Sequence, residues 1–560
     1  MRRRHARPAA GLALAILTLA AAVATFAAQG PQSQPGRRFY PDDPLWTDPD
    51  RAVDAGYLPA IEDADIFDFV RNTFVQGSTG ERRDTPAQNV NTLDEVPDSS
   101  WFTNRIGRQP MTAAELVKGP DRYESISLEG WQVSGGKGSG LQPGFRMRDR
   151  EGHTYQIEVD PPKNPELASA AEIIGTAFYH AFGYHTVDVY LAELDPSQIV
   201  ISEKATIRDP VSRKRRRLER RDVNDVLKKA ARLPNGHYRV LASRFADGAP
   251  LGNFRYYGTR PDDPNDIVLH EHRRELRGAR VFGAWLNHDD SRGINSLDML
   301  VETNGARWIK HYMFDFGSIL GSGTVHAQYH RPGNEYIFEW VPGWVTLGTL
   351  GFYVRPWALI DYPKVPPSVG RFEGKAFDPK KWKPEYPNPA FHNMRPDDAF
   401  WAARIVAKFD DSMIRAIVEK AKYSDPKATD YITQTLIMRR DKVLKTYLNQ
   451  VNPIVNASLD GSGTLTFENA AVLARAATPA ESYTLQWFRF DNSRNEKSNA
   501  GEPITVTDLR ASMPAASLGD AQYIGVTITG KHPQQSGWAR PATFYFRRGS
   551  SGWETVGAER

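Results

Sequence analysis

Cysteine is absent from all 560 residues. That removes disulfides, thiolate nucleophiles and any lipoprotein cysteine together, so folding rests on core burial alone. No Gly-x-Ser-x-Gly nucleophile elbow occurs, nor a glycine-rich loop ending in Gly-Lys-Ser/Thr. His270-Glu271-His272 has the wrong spacing for a helical zinc pair, which needs histidines at i and i+4. Neither charge sign dominates. A net charge of +4 on a chain this long gives no global basic field, and so no sign of a specific nucleic-acid partner. Internal repeats and long low-complexity tracts are missing too. Long apolar runs are almost missing, with one exception at the N-terminus.

That exception is Ala9 to Ala28, preceded by Arg2, Arg3, Arg4 and Arg7. The pattern is that of a signal peptide over residues 1–28, with small residues around Ala22-Val23-Ala24 for cleavage. About twenty such residues also suffice for a retained membrane anchor. In both cases the remainder is expected outside the cytoplasm, as a periplasmic, envelope-associated or secreted protein. Residues 29–120 read as a Pro/Gln/Gly-rich linker and an extension packed on the main domain. With 13 Trp, 26 Phe and 22 Tyr, the rest has ample material for two or three cores.

The densest chemistry lies in His288-Asp289-Asp290-Ser291-Arg292-Gly293-Ile294-Asn295, followed by Asp315-Phe316-Gly317. Phosphoryl transfer asks a protein mainly for positioning and charge neutralisation. It needs one carboxylate at the acceptor hydroxyl, and a carboxylate and an amide on the metal. Asp290, Asp315 and Asn295 are the candidates, with Asp289 as a neighbour in a shifted register. Between the motifs, residues 296–302 and 307–314 read as strands about Asn304-Gly305, a favoured hairpin dipeptide.

Upstream, residues 125–133 read as a strand entering the turn Ser134-Gly135-Gly136-Lys137-Gly138-Ser139-Gly140. A hairpin over 144–147 and 153–159 follows, then a helix over 165–182 and strands at 187–193 and 238–245. Glycines in that turn let backbone N–H groups approach phosphate closely. The basic run Arg213 to Arg221 reads as a solvated face entering a helix. A helix over 270–286 leads into the catalytic motif. The apolar stretch 344–350 is too short to span a membrane, and reads as packed beneath a loop or lining an acceptor groove. Helical periodicity fills 396–448, and short alternating strands fill 453–560.

Residues 125–450 thus resemble an atypical, secreted bacterial member of the protein-kinase-like superfamily, akin to HipA-like and spore-coat kinases. The resemblance implies an α+β fold: a bilobal kinase-like domain, with an N-lobe over 121–250 and a C-lobe over 251–452, followed by a small β-sandwich over 453–560. It also implies Mg²⁺ or Mn²⁺ with ATP or another nucleotide, Asn295 and Asp315 as metal ligands, Asp290 as the acceptor-side carboxylate, and His288 as a brace. A protein or envelope molecule would accept the phosphate. Gly136, Lys137, Gly138 and Gly140 would cover the nucleotide. One departure stands out: Glu158 occupies the strand position where such kinases carry a phosphate-binding lysine. Lys137 or Lys163 would have to replace the charge, and Glu172 or Glu166 would be its helical partner. The same departure makes a catalytically inactive pseudokinase or scaffold the alternative.

Overall fold

The computed structural model describes residues 36–61, 65–76, 84–138, 140–209, 212–514, 518–550 and 552–560. The signal-or-anchor reading of residues 1–28 lies outside them. No helix among the described residues is long and apolar enough to cross a membrane.

The molecule is mixed α+β with several sheets. Strands β1 (Gln132–Gly136), β2 (Gly144–Arg148) and β3 (Thr154–Val159) form a meander. In β3 Tyr155, Ile157 and Val159 are buried while Thr154, Gln156 and Glu158 alternate outward, the period of a half-buried strand. Helix α3 (Leu167–Phe182) carries the chain from β3 to β4 (Val189–Leu194), after α1 (Asp65–Val70) and α2 (Ala113–Lys118) have preceded the sheet. Strands β5 (Val200–Arg208), β6 (Arg215–Arg217) and β7 (Tyr238–Arg244) complete seven strands in the order β4-β7-β3-β2-β1-β5-β6. Strand β5 was not legible in the sequence. Its pattern is mostly exposed and it pairs in parallel with β1 at the sheet's outer side. The basic run also divides, with Arg215–Arg217 in β6 and α4 (Arg220–Leu227) after it.

Residues 245–248 cross from this sheet to β8 (Ala249–Gly252), which lies in a second sheet with β9 (Ser296–Thr303) and β10 (Ala306–Met313). The β9–β10 hairpin pairs in unbroken register from Ser296↔Met313 to Thr303↔Ala306. Its turn places Asn304 at φ 53° and Gly305 at φ 80°. Two successive positive φ values match the right-handed strand twist, and Asn-Gly tolerates both.

Between those strands stands α5 (Arg274–Leu286), buried on nearly every side. The residues before it, His270–His272, form a separate 3₁₀ turn rather than the helix start expected from the sequence. A helix this enclosed must neutralise its charges internally. Arg274 bonds Asp94 at 2.5 Å and Asp398 at 3.1 Å, and Arg277 bonds Asp398 at 3.2 Å. Removing one member of a buried network strands its partners, at about 3–5 kcal/mol. Arg274→Leu should therefore lower unfolding stability by about that much, read by chemical denaturation.

Below α5 pack α7 (Pro396–Val406), α8 (Asp411–Lys420) and α9 (Pro426–Tyr447), after the exposed α6 (Trp340–Gly348). Residues 454–559 form a three-stranded and a six-stranded sheet that share one core, including Leu465, Phe467, Trp487, Val526 and Phe544. Phe39 from the N-terminal segment joins a separate cluster on this region with Phe490 and Tyr545.

Candidate functional site

Helix α5 ends at Asn287, which adopts φ 54°. Its side chain is held on both sides, donating to Gln328 (3.2 Å) and accepting from Trp382 Nε1 (3.0 Å). The chain therefore enters His288–Asn295 on a fixed trajectory. His288 is buried and neutral, since burial and the nearby Arg292 hold its pKa down at about 3. Its Nδ1 lies 2.7 Å from the Tyr179 hydroxyl, and its ring meets Phe316 edge-on at 5.5 Å. A neutral ring clamped between α3 and Phe316 braces the loop and does not offer a titrating group.

The two neighbouring carboxylates differ. Asp289 faces inward, accepting from Gln328 Nε2 at 2.6 Å, and burial plus repulsion from Asp290 raises its pKa to about 7. Asp290 instead pairs with Arg292, which also reaches Asp65 (2.8 Å) and Glu385 (3.3 Å). Asn295 donates to the Asp290 carbonyl at 2.8 Å, and its own carbonyl accepts from Phe314 N at 3.4 Å. A hydrogen bond thereby ties the loop to the residue before Asp315, and Asp315 lies close enough to help raise the Asp290 pKa.

The raised Asp289 group gives a signed pH dependence. Between about pH 4 and pH 7 the unfolded carboxyl ionises while the folded one keeps its proton. Stability falls across that window by about 1.4 kcal/mol per pH unit and then levels off. Asp289→Asn should flatten the fall, as measured by denaturant unfolding at several pH values.

Asp315 follows β10 in a left-handed conformation, φ 64°, rare for a residue with a Cβ. Such strain persists only where the surroundings impose it, and it gathers at functional sites. Here Phe316 imposes it. The ring is fully buried, stacks on Tyr179 at 4.5 Å and lies over Gly175 of α3. A Cβ on Gly175 would come within 2.5 Å of the Phe316 Cβ. Gly175→Ala should displace Phe316 and Asp315 together, costing about 1–3 kcal/mol in stability.

Around Asp315 three carboxylates gather. The Glu172 Oε2 and Asp315 Oδ1 atoms lie 3.7 and 3.9 Å from where a Cβ on Gly317 would stand. Burial, then Asp315 and then Glu158, push the Glu172 pKa well up. Burial and Glu158 raise Asp315, while Lys137 and Arg292 oppose the rise. The cation that answers them is Lys137, which forms an ion pair with Glu158 and donates to the Gln142 carbonyl at 3.0 Å.

The sequence alternatives resolve accordingly. Lys163 is exposed. Neither expected helical partner pairs with Lys137, which bonds Glu158 instead: Glu166 caps α3 and accepts from Ser424 N at 3.0 Å, while Glu172 faces Asp315. The glycine turn also shifts. Residues 125–131 are not a strand, and β1 begins at Gln132 and runs through Gly135 and Gly136. Gly136 is a ladder residue paired with Phe145 of β2, and a Cβ there would strike Ile207 of β5 at 2.5 Å. Lys137, Gly138 and Gly140 lie beyond the strand, with Gly140 at φ 91° folded against the Lys137 side chain. Ser139 lies outside the described residues.

Four participants were missed in the sequence: Arg292, Gln328, Glu385 and the segment 65–76. Arg292 stood inside the motif, two residues past Asp290. Asp65 and Asp68 accept from the Tyr386 hydroxyl at 3.1 and 2.8 Å and hold α1 over the loop. A cleft of about 420 Å³ opens there, between Asp65, Asp68, Arg255, Tyr257, Gly293 and Ile294. Beside it the stretch from Trp340 to Val354 has no charged residue. Contrary to packing beneath a loop, α6 buries none of its side chains, and Trp344, Leu350 and Phe352 are 62%, 85% and 86% exposed. Phe74 ties the patch to the cleft through Phe338, 5.1 Å away.

A separate group, Asp149, Glu151 and His153, gathers on the β2–β3 turn. Its atoms are already committed. Asp149 Oδ1 caps the N–H groups of Glu151 and His153, and Oδ2 meets the histidine ring at 3.0 Å. It lies on the exposed hairpin tip and serves the turn.

Comparison of the chain with protein-family models, with curated proteins and with solved structures finds no match.

Proposed function

We propose that this is an exported kinase-like phosphotransferase that binds a nucleotide–metal complex and transfers phosphate to a hydroxyl on a protein or envelope acceptor. The supporting observation is the meeting of Asp290, Asn295 and Asp315 across the β9–β10 hairpin, with Lys137, Glu158 and Glu172 facing Asp315 from the seven-stranded sheet and α3. The strand path also supports the reading. A three-strand meander, a crossing helix and two further strands give the sheet order β4-β7-β3-β2-β1, with β5 and β6 added at the edge. The two sheets of 454–559 fit a small β-sandwich module beyond the kinase-like lobes.

The donor set suits a hard divalent cation. Glu158, Glu172 and Asp315 together carry more negative charge than Lys137 alone returns, and oxygen ligands with retained waters are what Mg²⁺ or Mn²⁺ takes. Asn295 and Asp315 would hold it, and bound there it would supply charge neutralisation at the phosphates. Asp290 would orient the acceptor hydroxyl. Arg292, paired to Asp290, would place positive charge beside the group in transit. Lys137 would act from the glycine turn, in place of the strand lysine that Glu158 displaces.

The cleft under α1 and the adjoining apolar surface would receive the acceptor. That surface, uncharged and aromatic beside the catalytic loop, favours an amphiphilic envelope acceptor over a small soluble one. The alternative, an inactive scaffold on the same fold, is favoured by one observation: Arg292 already occupies the Asp290 carboxylate. Labelled-phosphate transfer from nucleotide and Mg²⁺ to envelope fractions separates the two. The phosphotransferase reading expects incorporation that disappears in Asp290→Ala. Incorporation that survives the substitution would remove Asp290 from its role, and none from the unaltered chain with any nucleotide would favour the scaffold.

A further inference from the structure

A second recess lies away from Asp315, at the junction of β4, the crossover 245–248 and β10. Its volume is about 190 Å³, and Arg105, Arg122, Arg244 and Lys310 all line it. Two carboxylates, Asp188 and Asp247, face these four cations. Both are engaged: Arg122 holds Asp188 at 3.3 Å and Asp247 at 2.5 Å, and Arg244 holds Asp247 at 3.0 Å. Arg105 spends its guanidinium on the carbonyls of His180 and Tyr184, at 2.7 and 3.1 Å. Lys310 stands over the Tyr312 ring at 5.2 Å, and the charges that bear on it most strongly are Arg105, Arg51 and Arg122.

Two buried polar groups in the same wall lack partners. His185 is 8% and Thr186 7% exposed, and neither His185 Nε2 nor Thr186 Oγ1 has a hydrogen-bond partner. Buried polar groups are ordinarily hydrogen-bonded, so two orphans in one cationic wall mark a place for a guest. The demand is for negative charge that accepts hydrogen bonds from several directions.

We propose that this recess is a binding site for a tetrahedral oxyanion, phosphate or a phosphate monoester. Lys310, which has no ion pair among the described residues, supplies the charge with Arg105 beside it, and Thr186 donates to the anion's oxygens. The recess has room for such an anion with a few waters, each of which takes about 30 Å³. Its walls come from both sheets, which the His185–Tyr312 bridge already joins there. Arg244 and Asp247 flank the crossover between the two sheets, and Lys310 sits on the strand that runs on to Asp315. An anion there ties β10 to the crossover. The site stands on its own residues and does not depend on the phosphotransferase reading.

Calorimetric titration of the purified chain tests it, with inorganic phosphate, glycerol phosphate and chloride at matched ionic strength. One saturable site is expected for phosphate and none for chloride. Lys310→Met should weaken it about tenfold or more, while Lys531→Met, exposed in the C-terminal sheets, leaves it unchanged. Without phosphate, Lys310→Met should melt no lower than the unaltered chain, because it removes an unanswered cation. Lys310→Gln provides a second variant should the first fail to fold. Tighter binding of glycerol phosphate assigns a monoester, and tighter binding of inorganic phosphate assigns the free anion. Phosphate heats no greater than those of chloride, or equal affinity in the Lys310 variants, would overturn the proposal.

Discussion

Asp315→Asn is expected to raise the melting temperature of the ligand-free protein by about 2–4 °C, and at the same time to abolish its response to nucleotide with Mg²⁺. Most substitutions of a buried residue destabilise. This one should not, because Asp315 sits under burial and the repulsion of Glu158, and in turn raises Glu172. An amide keeps the shape, removes one charge and donates toward the remaining carboxylates. A residue kept for packing alone gives the opposite sign. The pH dependence follows from the same shifts. Glu172 and Asp315 both hold their protons more tightly folded than unfolded. Their contribution to stability is therefore greatest at low pH and is lost as pH rises from the usual carboxylate range through the raised values. A divalent cation needs the ionised forms, so stabilisation by Mg²⁺ should grow from pH 5 to pH 8 in the unaltered chain and stay flat in Asp315→Asn. Thermal unfolding across that range reads both.

Lys137→Met carries the second large effect. Among the described residues the ammonium is the one cation paired with Glu158, and Asp315 feels it too. Its removal leaves three clustered carboxylates with no ammonium beside them. A loss of about 1–3 kcal/mol is expected, because both members of the pair are only partly exposed. Lys137→Met/Glu158→Gln should recover most of that stability, since the second change removes the stranded charge. Nucleotide affinity should remain lost in the double variant, because phosphate still lacks its cation. Denaturant unfolding beside nucleotide titration separates the two outcomes. Recovery of affinity along with stability would mean that Lys137 serves only the ion pair.

The elements that the sequence made legible share a physical trait: their pattern is set locally. The β9–β10 hairpin announced itself through Asn304-Gly305, because that dipeptide suits two positive φ values. The long helix over 167–182 showed its apolar spacing, and the β2–β3 hairpin its alternation. Strand β5 was hidden because a strand with mostly solvated side chains has no alternating signature, and its partners, β1 and β6, are chosen by the sheet. Gly135 and Gly136 looked like turn residues because glycine permits either state, and only contact with Ile207 and Thr206 places them in β1. In the candidate site the spacing of Asp290, Asn295 and Asp315 was readable because loop and hairpin lie close in sequence. The pairing of Lys137 with Glu158, and of Asp65 with Arg292, spans 21 and 227 residues. Only the folded chain selects these from many acids and bases of equal composition.

One cation held by Asn295 and Asp315 would answer the charge of Glu158 and Glu172. Thermal unfolding of the unaltered chain with ATP, GTP and other nucleotides, each with and without Mg²⁺ or Mn²⁺, addresses it most directly. At one hundred times its dissociation constant a ligand stabilises the folded form by about 2.7 kcal/mol. The expected result is a rise in melting temperature that requires metal and nucleotide together and is absent in Asp315→Asn. Equal melting curves under every metal and nucleotide condition would contradict it.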